Sequence, residues 1–321
     1  MADGKIFVQV ASYRDPELLP TLRDCVARAE RQDLLAFGIA WQHDESEALD
    51  EFAADPRVRV VDSHWRDSLG TCWARAALQQ LYRGEEYTLA LDSHHRFLPG
   101  WDTALKTQLH RLDRPKPVLT GYLPGYQPGL PVPSKPQPVI LAANGFGPGE
   151  ILHYTPYVVD EGDLSAPIPA RFYSGHFAFA RGSFIEEVPY DPNLYFNGEE
   201  ITMSIRAFTH GYDLFHPHEV RILHRYGCEG RPIHWNDHKL DGRGAVGAWR
   251  LDHRSKQRVR VLLGMEDTPV DFGRYGLGQV RTLHDYESFA GIDFAARHLS
   301  DRARFGEQPA LPAIRPSFSA A

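Results

Sequence analysis

Residues 87–97 read YTLALDSHHRF, and this stretch decides the fold. The apolar run from Tyr87 to Leu91 is too short for a helix and reads as a buried strand that ends on Asp92, Ser93 and His94. Working back toward the N-terminus, three similar runs precede it: Ile6 to Ala11, Leu34 to Gln42 and Val58 to Val61. Helix signals lie between them. Asp15-Pro16-Glu17 has the form of a helix start, with Asp15 as cap and Pro16 in the first turn, followed by Leu18, Leu22, Cys25, Val26 and Ala29 at helical spacing. Ser46 to Ala54 reads as a short helix. Trp73, Ala76, Ala77, Gln80 and Leu81 form a helix face after Gly70, and Gly100 to Leu112 gives another helix. Strand and helix alternating at this spacing predict an α/β fold: a Rossmann-like, mostly parallel sheet with helices on both faces. Ligands of such a sheet sit beyond the carboxyl ends of its strands, which is where Asp92 and His94 stand.

Composition narrows the function classes. Of the 321 residues, 42% are hydrophobic and 24% charged, as in soluble globular proteins. The net charge of −7 argues against a protein built to grip nucleic acid. Cys25, Cys72 and Cys228 are far apart and form no CxxC pair, so neither a disulfide framework nor a zinc knuckle is expected. The longest apolar run, Leu34 to Trp41, is far too short to span a membrane, and the N-terminal apolar stretch reads as a first strand rather than a signal peptide. A reducing, cytoplasmic location is the expectation.

Beyond residue 112 the pattern changes. Eight of the 24 prolines fall between Pro115 and Pro138, which predicts a long surface loop from Asp113 to Pro138, either a binding wall or a floppy insertion. Phe172 to Ala180 then reads as a strand, and Asn197-Gly198 precedes a helix from Glu199 to His210 closed by Gly211. Asp213 to Phe215 and Val220 to His224 read as short strands, Arg250 to Leu263 as a basic amphipathic helix, and the chain after Arg304 as a fraying tail. The expected division is residues 1–112 as a nucleotide-binding half, 113–250 as an acceptor-binding half of the same domain, and 251–321 as a helical extension.

Three clusters carry chemistry. Asp92 and His94, a carboxylate and an imidazole on one strand face with His95 on the other, suit a shared divalent cation. Against this stands the simpler reading of a capping Asp and a surface His. Among the 16 histidines, His224 is the best-placed third ligand because it ends a short strand; His216 and His218 read as surface residues and His234 as a weaker candidate. The second cluster is Phe196-Asn197-Gly198-Glu199-Glu200. Two acids in a first helical turn are favoured by the helix dipole alone, yet adjacent helical positions point about 100° apart, so one Glu can enter a site while its neighbour does not. Tyr195 and Phe196 suit a wall for a sugar-like ligand, although core packing is the simpler expectation for Phe196. The third is Trp65 to Gly70, including Asp67, leading into Trp73 and Arg75; a glycine-bearing turn flanked by Arg66 and Arg75 suits an anionic nucleotide. There is no Walker motif, no GxGxxG after the first strand and no GxSxG, which disfavours NTPases, dinucleotide dehydrogenases and serine hydrolases.

Four long blocks resemble the cytosolic polypeptide GlcNAc-transferases, glycosyltransferase family 60. They are VASYRDPEL (10–18), SLGTCWARAALQQLYRGEEYTLALDSHHRF (68–97), SGHFAFARGSFIEEVPYDPNLYFNGEEITMSIRAFTHGYDLFHP (174–217) and YGLGQVRTLHDYESFAGIDF (275–294). The resemblance implies a GT-A fold and a retaining transfer from a UDP-sugar, most simply UDP-GlcNAc, with a divalent metal, usually manganese. In that pattern Asp92, Ser93 and His94 replace the usual DXD, and His224 matches the distant His of the related DXH arrangement. The resemblance further implies that Ala11, Ser12, Tyr13, Arg14, Asp67, Trp73 and Arg75 join Asp92 and Ser93 around the donor. Phe196 and Gly198 then face the acceptor, and Glu199 or Glu200 acts on the transferred sugar or the acceptor hydroxyl. The acceptor itself, a hydroxyl of a peptide, protein or small molecule, is not specified, and hydroxyproline specificity is not carried over. Two other classes compete: a two-metal phosphoesterase or hydrolase using the same Asp92/His94 site, and an idle UDP-sugar-binding module.

Overall fold

The computed structural model describes residues 4–159, 164–240 and 247–313. The N-terminal part alternates β1 (Ile6–Tyr13), α1 (Leu18–Arg28), β2 (Leu35–His43), β3 (Val58–His64), α2 (Thr71–Gln79) and β4 (Tyr87–Asp92), then β5 (His95–Phe97) and α3 (Trp101–His110). It continues through β6 (Pro117–Thr120), the hairpin β7 (Val139–Phe146) and β8 (Leu152–Val158), β9 (Ile168–Ala170), β10 (Phe177–Arg181), α4 (Ser183–Glu187) and α5 (Glu199–Thr209). After β11 (Asp213–His216) and β12 (Ile222–His224) come α6 (His234–Leu240), α7 (Ala248–Leu262) and α8 (Leu283–Ala290).

Eight strands form one sheet in the order β3-β2-β1-β4-β10-β6-β11-β9. β3, β2, β1 and β4 are mutually parallel, β10 and β9 run against their neighbours, and β6 and β11 are parallel. The sheet is thus mixed but mostly parallel, and it joins strands from residues 1–112 with strands from residues 113–250. Its faces divide as the period of two requires. Ile6, Val8 and Val10 bury against Leu18, Leu22 and Cys25 of α1 and Trp101 and Leu105 of α3. Phe7 faces the other way, against Ala74 and Leu78 of α2. A second core forms around Ile201, Ile205 and Phe208 of α5 with Tyr286 and Ala290 of α8. The chain runs from β1 to β2 on one side and returns to β4 on the other, so the strand order reverses between β1 and β4. Ala11 pairs with Asp92 at that reversal, which opens a crevice at the carboxyl ends.

Several boundaries differ from the expectation, each for a local reason. α1 begins at Leu18, because residues 15–17 form a turn in which the Asp15 carboxylate accepts from the Glu17 N–H at 2.9 Å. The helix expected from Ser46 to Ala54 shrinks to a 3-10 turn at Asp50–Ala53; the Asp44 carboxylate captures the Ser46 N–H at 2.9 Å and hydroxyl at 2.5 Å instead. Only Phe177–Arg181 of the strand expected from Phe172 forms, because the preceding N–H groups bond to side chains rather than to a ladder. Tyr173 N donates to Ser204 Oγ at 2.8 Å and Ser174 N to Thr120 Oγ1 at 2.9 Å. The proline-rich loop is shorter than expected: Pro117 opens the buried strand β6, a position where proline is tolerated. His216, expected at the surface, is buried and accepts the Leu141 N–H at 3.2 Å. Residues 305–313 are tied back rather than frayed: Arg114 donates to Pro312 O at 2.7 Å, and Leu311 packs on the N-terminal core. The rest of the expected tail, residues 314–321, lies outside the described residues. Among the described residues, no helix is long and apolar enough to cross a membrane.

Candidate active site

Two cavities meet at the crevice. The first, about 360 Å³, is lined by the carboxyl ends of β1 (Ala11, Tyr13), β2 (Gln42) and β4 (Asp92, Ser93), and closed by Arg225 to Trp235. The second, about 400 Å³, shares Thr71, Asp92, Phe196, His224 and Tyr226 with the first and extends along Arg75, Tyr122, Glu199 and Glu200.

Asp92 and His224 stand on the shared wall, and His94 lines the first cavity beside them. β4 ends at Asp92 and the chain bends through Ser93, so Asp92 and His94 meet through a bend rather than by strand alternation. β5 then pairs with β12, setting His224 opposite His95, and the Arg225 N–H donates to His94 O at 3.0 Å. One ligand atom from each of Asp92, His94 and His224 lies within 4.8 Å of the others. Asp92 Oδ2 is bracketed by His94 Nε2 at 3.7 Å and His224 Nε2 at 3.5 Å. Neither ring nitrogen of His224 makes a hydrogen bond, although both are buried. Burial pushes His224 toward its neutral form despite the Asp92 carboxylate. Burial would raise Asp92, but His224, Arg75 and His94 outweigh it and hold the carboxyl well below the usual range. An ionised carboxylate 3.5 Å from a neutral imidazole that makes no hydrogen bond is a donor set that fits a divalent cation tolerant of both oxygen and nitrogen. His95 and His176 pack behind His224, with ring centroids 5.0 and 4.2 Å from it, and burial keeps both neutral.

Behind this wall a buried charge chain runs to α5. Arg75, 3% exposed, places Nη2 2.5 Å from Asp92 Oδ1 and Nε 3.2 Å from Glu199 Oε1. The Cys72 thiol donates to Glu199 Oε2 at 3.6 Å. Glycine at both helix starts makes this possible. At Gly70 (φ 109°) a Cβ would stand 2.5 Å from Tyr195 O, and at Gly198 (φ 94°) 2.5 Å from Val259 Cγ2. Glu199 and Glu200 both reach the second cavity, but in different roles. Glu199 is committed to Arg75. Glu200 accepts the Gly175 N–H and the Tyr122 hydroxyl, each at 3.0 Å. Burial, aided by the Glu199 charge and opposed by those hydrogen bonds, pushes Glu200 up to about 7.

The remaining expected donor residues divide. Ala11 and Tyr13 line the first cavity, and the Tyr13 hydroxyl donates to Asp237 Oδ2 at 3.1 Å. Ser12 is buried beside them, its carbonyl accepting from Gln42 Nε2 at 3.0 Å. Arg14, in left-handed backbone (φ 46°), pairs with Asp44 and Asp237. Arg75 belongs to the second cavity rather than the first. Asp67 is exposed on a 3-10 turn, and Trp73 packs against the Phe7–Leu78 cluster; the structure brings neither to the cavities described above. Phe196 is 37% exposed at the mouth of both cavities rather than in the core, its ring tilted 40° against Trp235 with centroids 4.8 Å apart. Gly198 lines the second cavity. Sequence reasoning missed Tyr122, His176, Tyr226 and Arg231, which lie in loops without periodicity. Asp15 was visible as a helix cap and, by resemblance, as the end of the nucleotide-contacting VASYRD segment.

A family model described as Glycosyltransferase (GlcNAc) matches residues 5–56 and 49–296. No curated protein matches the chain. Among solved structures, GalNAc-T7 with UDP, GalNAc and Mn2+ superposes with a TM-score of 0.57 at 16% identity, over 80% of this chain and 48% of that one. This chain therefore spans about half the length of that structure. S. aureus TarS 1-349 is also similar, with a TM-score of 0.45 at 9% identity over 80% of this chain and 71% of that one. The fold is that of the GT-A glycosyltransferases.

Proposed function

This chain belongs to the Glycosyltransferase (GlcNAc) family, and from that premise we propose that it moves GlcNAc from UDP-GlcNAc to a hydroxyl acceptor with retention at the anomeric carbon. The observation that carries the reading is the convergence of Asp92, His94 and His224 where the two cavities meet, Asp92 and His224 lining both and His94 the first. The family description supports GlcNAc, and the UDP and manganese bound to GalNAc-T7 support the nucleotide and the cation. The four blocks quoted above support a position near the polypeptide GlcNAc-transferases, with a peptide or protein among the acceptors. The three free cysteines suit a reducing, cytoplasmic compartment.

In this reading residues 1–112 supply most of the nucleotide side, residues 113–250 the acceptor side, and the remainder an extension that buttresses α5. Ala11, Ser12 and Tyr13 at the end of β1 receive the nucleotide in the first cavity. Asp92, His94 and His224 would hold manganese, which when bound neutralises charge on the diphosphate leaving group. Arg75 holds Asp92 in place and opposes the burial that raises Glu199, so the carboxylate of Glu199, where ionised, faces the sugar as positive charge develops on its ring. Glu200, near neutrality, exchanges a hydrogen bond with the acceptor hydroxyl in the second cavity. No side chain need form a covalent bond to the sugar: the hydroxyl attacks on the face from which the diphosphate leaves, and its proton passes to the departing phosphate oxygen.

The products of slow donor hydrolysis test this. With manganese and no acceptor, UDP-GlcNAc should give UDP and free GlcNAc, and EDTA should stop the reaction. Release of UMP and GlcNAc 1-phosphate would mean cleavage between the phosphates and would favour the hydrolase. Absence of turnover even with a broad set of hydroxyl acceptors would favour the idle binding module.

A further inference from the structure

We propose that Asp15 is a positioning residue for the cation site: its carboxylate fixes the His94 ring with Nδ1 protonated and leaves the Nε2 lone pair facing Asp92. This rests on the cation reading of Asp92, His94 and His224. Asp15 lies outside that group, on the turn between β1 and α1, and its side chain is 1% exposed. Its Oδ2 accepts from His94 Nδ1 at 2.7 Å, from Ser93 Oγ at 2.6 Å and from Arg231 Nη1 at 3.1 Å. Its Oδ1 accepts the Glu17 N–H at 2.9 Å. Oδ2 therefore holds two consecutive residues of the Asp92-Ser93-His94 bend, which a helix cap has no reason to do.

The tautomer follows from the donors. A carboxylate accepts only, so the nitrogen facing it carries the proton. Arg231 Nη1 touches Nδ1 and also lies 2.9 Å from Nε2. That guanidinium contacts both ring nitrogens and does not choose between them; the Asp15 carboxylate at 2.7 Å does, and with Nδ1 protonated the neutral ring carries its lone pair on Nε2. That same lone pair is 3.7 Å from Asp92 Oδ2. A carboxylate behind a ligating imidazole fixes its rotation and makes the ring a stronger base. A cation at Nε2 displaces the Arg231 contact there, and Asp15 remains as that guanidinium's partner.

The test titrates manganese alone into the protein and follows loss of the free-ion EPR signal, using Asp15→Asn, Asp15→Ser and Asp92→Ala. The Ser side chain retains an oxygen for the Glu17 N–H but is too short to reach His94, so it separates capping from positioning. Both Asp15 variants should bind manganese roughly 10–100-fold more weakly than the parent while still melting cooperatively in EDTA. Long-range 1H–15N spectra of the metal-free protein should show His94 protonated at Nδ1 in the parent and a tautomer mixture in Asp15→Ser. Parent-like manganese affinity in both Asp15 variants, with loss in Asp92→Ala, overturns this inference alone. Parent-like affinity in Asp92→Ala, or no uptake by the parent, overturns the cation reading and this inference with it. Failure of both Asp15 variants to fold makes Asp15 structural and also overturns it.

Discussion

Replacing Arg75 by Met removes a charge while keeping most of the side-chain volume. The resemblance implies a donor-facing arginine. In the structure Arg75 is also a buried ion-pair partner, 3% exposed between Asp92 at 2.5 Å and Glu199 at 3.2 Å. Removing the cation strands two carboxylates, and breaking a buried pair costs about 3–5 kcal/mol. For a chain of this size that lowers the melting temperature by on the order of 10 °C. The measurement is urea denaturation of parent and variant in EDTA at pH 7. The gap has a defined pH dependence. Asp92 is held below its ordinary value in the parent, so its contribution is present above the unfolded value and disappears as pH falls through the folded one. The deficit of the variant should therefore be full at neutral pH and narrow in acid. Adding Glu199→Gln to Arg75→Met should recover part of the loss, since one stranded charge is gone. A loss below about 1 kcal/mol at pH 7, the range of ordinary surface substitutions, would refute the buried-bridge argument.

Glu200→Gln should change both stability and turnover with pH. The parent's carboxyl is raised from 4.5 to about 7, so its contribution is complete below pH 4.5 and is lost as pH rises through about 7; the Gln variant should gain relative to the parent between pH 5 and 8, and a constant difference in denaturation midpoint would contradict the raised value. The same variant should lose the limb near pH 7 from the donor-hydrolysis profile while keeping manganese-dependent UDP affinity. Asp102→Ala tests the scaffold away from the site: Asp102 is fully buried and accepts the Glu30 and Arg31 N–H groups at 2.9 and 3.0 Å, so the variant should lose about 2–4 kcal/mol in chemical denaturation with UDP affinity unchanged.

The parallel half of the fold was legible because its signals are local. Ile6 to Ala11 and Tyr87 to Leu91 are apolar runs too short for helices, and each meets a helix signal at the spacing a crossover requires. Residues 172–176 were misread as strand because nothing local reveals that Ser204 and Thr120 would take the Tyr173 and Ser174 N–H groups. The cation group was legible in part, since DSH at a strand end and His224 closing the short strand signal Val220 to Leu223 are both local patterns. The role of Arg75 was not, because its second partner lies 124 positions away on α5. Phe196 and His216 exchanged their expected places for a related reason. Hydrophobicity predicts average burial, whereas Phe196 is held at a cavity mouth by the turn before α5, and His216 is buried because β11 lies inside the sheet with its ring bonded to Thr120 O at 2.8 Å.

The central claim is that Asp92, His94 and His224 hold a cation that binds the donor's diphosphate. Calorimetric titration of UDP into the parent and Asp92→Asn, each in manganese and in EDTA, tests it most directly. The account predicts UDP affinity higher by about tenfold or more in manganese for the parent, a difference of about 1.4 kcal/mol, and no such difference for Asp92→Asn. Equal UDP affinity in manganese and EDTA for the parent, or a manganese effect that survives Asp92→Asn intact, would contradict it.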